Sequence, residues 1–343
     1  MLGLTFPEVT AALRPRRHEV KPLRTVYRAL LRGQAPPDTA RLPGPPCRVR
    51  YEEALAADVL PIVRRIEDGE LTKFVQRTHD ELEIESVVVP MPRTHGLWRT
   101  LCVSSQVGCA RGCTFCETAQ LGLLRNLTPG EIVGQVVAAQ RDFQQGIRNV
   151  VFMGMGEPLD NFEHVIQAIR VMMDPSGLSL AGERITISTV GRVAGIRRLA
   201  QLGWRRLNLA VSLNAPNDEI RSQIMPNNRR EPMAALRDAL LAYPLRNCQF
   251  FMLEYVLIPG VNDAREHAFE VAEYLRPLKC MLNVIPYNPR RDSPWPAPTE
   301  EAVEQFLAWA REAGQGCKRR VTKGRDQMAA CGQLGNRALA RHR

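Results

Sequence analysis

Nowhere in its 343 residues is this chain apolar for long enough to cross a bilayer. Its opening, MLGLTF, is a short apolar run with arginines after it rather than before it, which is not the layout of a secretory leader. Nine cysteines, an odd number in a long chain, argue against a secreted disulfide framework and for metal or redox chemistry in the cytoplasm. Acidic residues are scarce at both ends. Residues 1–50 hold three Asp/Glu against ten Lys/Arg, and residues 317–343 hold one against eight. The middle is mildly acidic. Ends of this kind are either solvated tails or grips for a polyanion, nucleic acid above all.

What is present is ordinary in bulk: 45% apolar and 24% charged residues, in a chain long enough for one large domain and an accessory piece. Residues 1–33 read as short helices, with Val26, Tyr27, Leu30 and Leu31 at helical spacing on a basic background. A Pro/Gly-rich linker follows at 33–46. Residues 71–90 alternate as a hairpin with its turn near His79 and Asp80. From about residue 100, apolar β-branched runs alternate with amphipathic helices. The runs are TLCVSSQ, NVVFMGMG, RITISTVG, RLNLAVSLNA, FMLEYVLIPG and MLNVIPYNP. Thr128-Pro129-Gly130-Glu131 is a capping box that opens the first intervening helix. Six such units imply an α/β fold with a parallel sheet, open or curled into a partial barrel, and no other internal repeat is visible. In barrels of that kind the chemistry sits at the carboxyl ends of the strands. Here the polar motifs GMGEP, STVG, SLNAPND and YNP fall at those ends, and the cysteine loop follows the first strand.

That loop, GCARGCTFCETAQLG, puts Cys109, Cys113 and Cys116 within eight residues. Inert buried cysteines rarely gather on a glycine-rich loop. Structural zinc needs four closed ligands, usually in two separated pairs, and no second pair exists. An iron–sulfur cluster held by three thiolates is the remaining reading. It leaves one iron without a protein ligand, open to the amino and carboxylate groups of a substrate.

An open-site cluster on such a barrel is the mark of radical S-adenosylmethionine (SAM) enzymes. LCVSSQVGC, GCTFCETAQLG, MGMGEPL, SLNAPNDEIR, EYVLIPGVND, NVIPYNP and AACGQL together resemble the RlmN/Cfr family of radical RNA methyltransferases, in the family's order from about Glu85 to Leu334. The resemblance implies a radical SAM partial (β/α)6 barrel with a small helical N-terminal accessory domain and a β-hairpin extension. The segments are then 1–50 as basic accessory domain and linker, 51–100 as β-rich connection, 101–322 as core, and 323–343 as basic tail.

Residue by residue, the resemblance implies that Cys109, Cys113 and Cys116 hold a 4Fe–4S cluster. Gly156, Glu157, Ser188, Ser212, Leu213, Asn214 and Asn288 match cofactor-contacting positions, with Glu157 placed for the SAM ammonium. Cys331 matches a cysteine that is methylated and passes the carbon on, Cys102 its resolving partner, and Glu85 the general base. Taken without the family, Cys102 and Cys331 read as small buried hydrophobes, Glu85 as an outward-facing strand carboxylate, and Ser188 and Ser212 as strand-end hydroxyls. Cys47, Cys248, Cys280 and Cys317 belong to no motif and read as structural. Carbon 2 of adenine is electron-poor, so polar attack on a sulfonium methyl fails there, and the implied scheme uses two SAM per turnover. One methylates Cys331, whose thiolate Lys323 and Arg325 favour. The other yields the radical that activates that methyl. The implied partners are 23S rRNA, for some members tRNA, and an electron donor such as flavodoxin, with no DNA and no membrane. The target base must leave its stack to react.

Two positions depart from the family pattern: Asn214 stands where His is usual, and Glu117 follows Cys116 where a small residue is usual. The N-terminal 50 residues match only vaguely. Three other readings stay open: a carbon 8 methyltransferase of the Cfr type, a diverged paralogue acting on another RNA, and a catalytically silent iron- or zinc-binding RNA-binding protein.

Overall fold

The computed structural model describes residues 2–34, 59–93, 96–142, 146–321, 324 and 328–336. Most of the expected linker, together with Cys47, Lys323 and Arg325, lies outside the described residues. The chain forms two compact units interleaved in sequence. One comprises Met1–Val107, Asn126–Gly154 and Asn161–Ile185, and the other Gly108–Arg125, Met155–Asp160 and Thr186–Arg343.

The first unit begins with helices α1 (Phe6–Leu13) and α2 (Val20–Leu31). On α2 the basic residues face out while Leu23, Val26, Tyr27 and Leu31 are buried, and the Tyr27 hydroxyl donates to the Leu4 carbonyl at 2.9 Å. Strands β1 (Ile62–Asp68), β2 (Leu71–Arg77), β3 (Glu83–Arg93) and β4 (Gly96–Cys102) form an antiparallel meander. The β2–β3 turn falls where the sequence placed it: Thr78 N–H donates to the Leu82 carbonyl at 2.8 Å, and Glu81 takes a left-handed φ of 61°. The capping box ahead of α3 (Pro129–Asp142) forms as expected. Thr128 N–H donates to Glu131 Oε2 at 2.8 Å, and Glu131 N–H donates to Thr128 Oγ1 at 3.2 Å. Strand β5 (Asn149–Phe152) pairs parallel to β4, and α4 (Phe162–Met173) closes the unit with Val165, Ile166, Ile169 and Met172 buried.

The second unit is the βα alternation itself. In chain order it runs β6 (Ile185–Thr189), α5 (Val193–Gln201), β7 (Asn208–Ser212), α6 (Asp218–Ile224), α7 (Met233–Leu241), β8 (Phe251–Leu257), α8 (Arg265–Leu275), β9 (Cys280–Pro286), α9 (Glu300–Glu312) and β10 (Cys317–Arg319). Every strand pair from β6 to β10 is parallel. Helices between them supply the crossovers that parallel pairing requires. β7 and β8 are nearly continuous apolar runs because both faces are covered.

β10 was not legible in the sequence. It is three residues long, with no apolar alternation, and stands because it extends β9. It also changes the picture of the basic C-terminus. Arg319 pairs with Glu300 at 2.5 Å, and Arg320 lies 3.4 Å from Glu254, so these two cations are answered inside the unit.

Candidate active site

The cysteine loop lies in the second unit, and backbone atoms set much of its shape. Gly108 has φ 78°, and a Cβ there would lie 1.9 Å from the Gly122 carbonyl oxygen, so only glycine fits. That carbonyl then accepts from Cys109 N–H at 2.8 Å. Cys116 N–H turns back to the Cys113 carbonyl at 3.1 Å. Thr114 N–H reaches the Ile224 carbonyl at the end of α6, at 2.9 Å. Arg290 Nε, beyond β9, donates to the Thr114 carbonyl at 2.8 Å. Burial pushes all three thiols up, Cys109 to about 12 and Cys113 well above the ordinary thiol value; Cys116 raises Cys109 further, and both raise Cys113. Backbone N–H groups near Cys109 and Cys116 oppose this in part. Thiols so placed become thiolates only against a cation.

Glu157 is 1% exposed, just beyond Gly156, whose φ is 99°. Its carboxylate accepts from Leu159 N–H at 3.0 Å and from Val190 N–H at 2.8 Å. Burial raises its pKa to about 7 against the pull of those two donors. An ion-pair chain joins this stretch to its neighbours. Arg111, between the first two cysteines, lies 2.8 Å from Asp160. Asp160 also takes Arg192 at 2.8 Å, and Arg192 reaches Glu231 at 2.5 Å.

Ser188 and Ser212 are half-buried at the carboxyl ends of β6 and β7. Leu213 and Asn288 are buried beyond β7 and β9. Asn214 behaves differently. It adopts a left-handed φ of 58°, which Asn tolerates better than most residues. Its Oδ1 accepts from Val256 N–H at 2.9 Å, and its Nδ2 points to Met225 Sδ at 3.3 Å. Much of its hydrogen-bonding capacity serves the fold. Glu117 is fully buried, so solvent does not screen its charge from the neighbouring Cys116.

The Cys331 loop is docked in this same unit. Glu117 N–H donates to the Gly332 carbonyl at 2.7 Å, and Thr118 Oγ1 to the Leu334 carbonyl at 2.6 Å. Gln333 Nε2 donates to the Pro289 carbonyl, next to Asn288, at 3.0 Å. Cys331 itself is half-buried.

Cys102 and Glu85 belong to the first unit. Lys73, Val87 and Cys102 form one row across β2, β3 and β4. Glu85, two residues before Val87, therefore shares the face of Cys102. Lys73 Nζ lies 2.8 Å from Glu85 Oε2. Gln135 of α3 holds the chain just after Cys102: its Oε1 accepts from Ser104 N–H and Ser86 Oγ at 2.8 Å, and its Nε2 donates to the Ser104 carbonyl at 2.9 Å. Ser104 Oγ in turn donates to the Glu85 carbonyl at 2.7 Å. Sequence reading missed Lys73, Gln135 and Arg111. The hairpin register was the available signal for Lys73. Nothing local marked the other two.

The model of the radical SAM superfamily matches residues 103–272. A relative from Protochlamydia amoebophila, "Probable dual-specificity RNA methyltransferase RlmN 1", is 45% identical over 282 residues, covering 82% of this chain and 78% of the relative. A "Dual-specificity RNA methyltransferase RlmN" from Syntrophotalea carbinolica is 44% identical over 263 residues, 76% of this chain and 69% of that one. The chain belongs to the RlmN family of radical SAM RNA methyltransferases. The solved radical SAM methyltransferase of Sphaerobacter thermophilus shares the fold at a TM-score of 0.88 and 38% identity, covering 97% of this chain and 98% of that one. RlmN membership brings a 4Fe–4S cluster, SAM and an RNA substrate.

The donor set fits that cluster. Cys113 is buried, Cys109 and Cys116 are half-buried, and the charges of both bear on Cys113. Among the described residues, no three His, Cys, Asp or Glu side chains converge as ligands of a single ion must. A cubane asks instead for thiolates set around a wider body. Among the described residues, no helix is long and apolar enough to cross a membrane.

Proposed function

We propose that this chain methylates carbon 2 of an adenine in 23S rRNA, with tRNA as a second substrate, using Cys331 as the methyl carrier. The observation that carries the reading is the docking of the Cys331 loop on the residues that follow Cys116, through the bonds from Glu117 N–H and Thr118 Oγ1. A methyl carrier has to sit beside the place where the radical forms. The words "dual-specificity" in the relatives' names support two RNA substrates.

Cys109, Cys113 and Cys116 would hold the cluster, which would supply one-electron chemistry for the reductive cleavage of SAM. The electron comes from a low-potential donor such as flavodoxin. Glu157 accepts from the SAM ammonium, and Gly156 lets the backbone approach it. Ser188, Ser212, Leu213 and Asn288 line the rest of the cradle, while Asn214 contributes mainly by holding the strand ends. Two SAM are used per turnover, one of them to methylate the Cys331 sulfur. Once the Cys331-borne carbon is joined to the base, the adduct would give up one electron, balancing the one spent in cleaving SAM, and its carbon 2 proton would pass to Glu85. The Cys102 thiolate attacks the Cys331 sulfur, forming an S–S bond. The S–C electron pair stays with the carbon, which takes a proton and leaves as the methyl group. A cellular thiol then reduces the disulfide. The basic ends, 1–50 and 323–343, contact RNA phosphates.

The deciding experiment is methylation of total RNA with isotope-labelled SAM under anaerobic conditions, followed by mass spectrometry of the digested nucleosides. Labelled 2-methyladenosine is the expected product. Label at carbon 8 assigns the Cfr-type activity instead, and label in another RNA assigns a paralogue. No label and no SAM cleavage in an iron-loaded protein overturns the reading.

A further inference from the structure

Arg221, on α6 in the second unit, is fully buried. Its guanidinium makes four hydrogen bonds, all to uncharged acceptors. Nε donates to the Leu213 carbonyl at 3.0 Å. Nη1 donates to Asn228 Oδ1 at 2.8 Å. Nη2 donates to the carbonyls of Val190 at 2.7 Å and Ser212 at 3.1 Å. Among the described residues it forms no ion pair. The acids that face it are otherwise engaged. Asp218 stands behind Asn228, whose Nδ2 donates to Asp218 Oδ1 at 2.8 Å, and Glu231 is taken by Arg192 at 2.5 Å. A buried cation without an anion is costly, and folds rarely keep one without a use.

The missing anion has an evident place. Met225 N–H donates to the Arg221 carbonyl at 2.7 Å, so Met225 sits one turn on. Ile224 and Met225 share one buried cluster with Cys113, and Thr114 N–H bonds to the Ile224 carbonyl. Cys113 is among the groups whose charge Arg221 meets. The same guanidinium braces three carbonyls at the ends of β6 and β7. One belongs to Val190, whose N–H holds Glu157, and the others to Ser212 and Leu213 in the proposed SAM cradle.

We infer that Arg221 is a positioning residue and the buried counter-charge of the thiolate-ligated cluster, raising its reduction potential while it fixes the strand ends that cradle SAM. The inference rests on the reading that Cys109, Cys113 and Cys116 hold the cluster. A cation close to a ligand thiolate favours the more negative, reduced state. In a buried site such a charge is worth about tenfold in the reduced-to-oxidised ratio, or ~59 mV for a one-electron couple.

The test is a reductive titration of the loaded protein followed by electron paramagnetic resonance, with iron content measured on each sample. Arg221→Gln should lower the midpoint potential by about that amount, and Arg221→Lys, which keeps a cation but not the four-bond fork, should lower it by less. A second variant leaves Arg221 in place. The paired exchange Asp218→Asn with Asn228→Asp keeps net charge and moves the carboxylate from the far side of residue 228 onto the guanidinium. It should lower the potential in the same direction, and it decides the matter should Arg221→Gln not fold. A potential unmoved by the exchange overturns the inference while leaving the cluster reading intact. A wild-type protein that takes up no iron overturns the cluster reading first, and this inference with it.

Discussion

Lys73 Nζ lies 2.8 Å from Glu85 Oε2, with the two side chains 6% and 5% exposed. The pair sits on neighbouring strands of an antiparallel meander, on the face that also carries Cys102. A buried ammonium at this distance holds the Glu85 carboxylate in one orientation. Lys73→Met removes the ammonium from beside a buried carboxylate, so urea unfolding should show a loss of about 3–5 kcal/mol. Adding Glu85→Gln to Lys73→Met should recover most of it. A single variant as stable as wild type contradicts the pairing.

The proposed two-thiol chemistry has a covalent signature. In Cys102→Ala nothing attacks the Cys331 sulfur, so RNA should stay attached to Cys331 through the new carbon bridge. Denaturing gels should show a protein–RNA species that survives reducing agent and disappears when Cys331→Ala is added. Normal turnover by Cys102→Ala, without cross-link, removes Cys102 from the mechanism.

Glu157 makes stability depend on pH. Its folded value of about 7 stands above the ordinary 4.5 because burial disfavours the carboxylate. The folded chain therefore holds a proton between those values that the unfolded chain has released. Stability from this group is full below about pH 4.5, falls as pH rises, and levels off above about pH 7. The total is on the order of 3 kcal/mol. Without SAM, urea midpoints should fall from pH 5 to pH 8. Glu157→Gln should flatten that slope, at some baseline cost because one of the two backbone donors loses its acceptor.

The ion pair between Arg111 and Asp160 ties the cysteine loop to the stretch that carries Glu157. Arg111→Met keeps the side chain's bulk and removes the tie. SAM binding should weaken severalfold while iron content stays at wild-type level, since the loop backbone keeps its own bonds. Loss of iron in Arg111→Met, with SAM affinity of the loaded fraction unchanged, assigns Arg111 to cluster retention instead.

Much of this fold was readable because its local signals agree with one another. The capping box at Thr128 and Glu131 starts α3, the turn at His79–Asp80 closes a hairpin, and the six apolar runs each became a strand. The cysteine loop was readable because its spacing is chemical. The strands β1 and β10 were not readable, since both are short or exposed and gain their pairing from neighbours. Lys73 was hidden for a related reason: as a lone letter it resembles any solvated strand lysine, and only the register across β2 and β3 brings it to Glu85. Asn214 shows the limit of motif matching. It stands at a cofactor-contacting position of the family, as Asn where His is usual, and its side chain is committed to Val256 and Met225.

The loop around Cys109, Cys113 and Cys116 takes several of its contacts from main-chain atoms: Gly122, Cys113, Ile224 and Gly332 each lend a carbonyl. Residues standing between the thiols are thereby released from keeping the loop in shape. Such a loop can drift in sequence at Ala110 or Thr114 and still present three sulfurs in one arrangement. Those positions become the natural places for a lineage, or an engineer, to retune the cluster without rebuilding it.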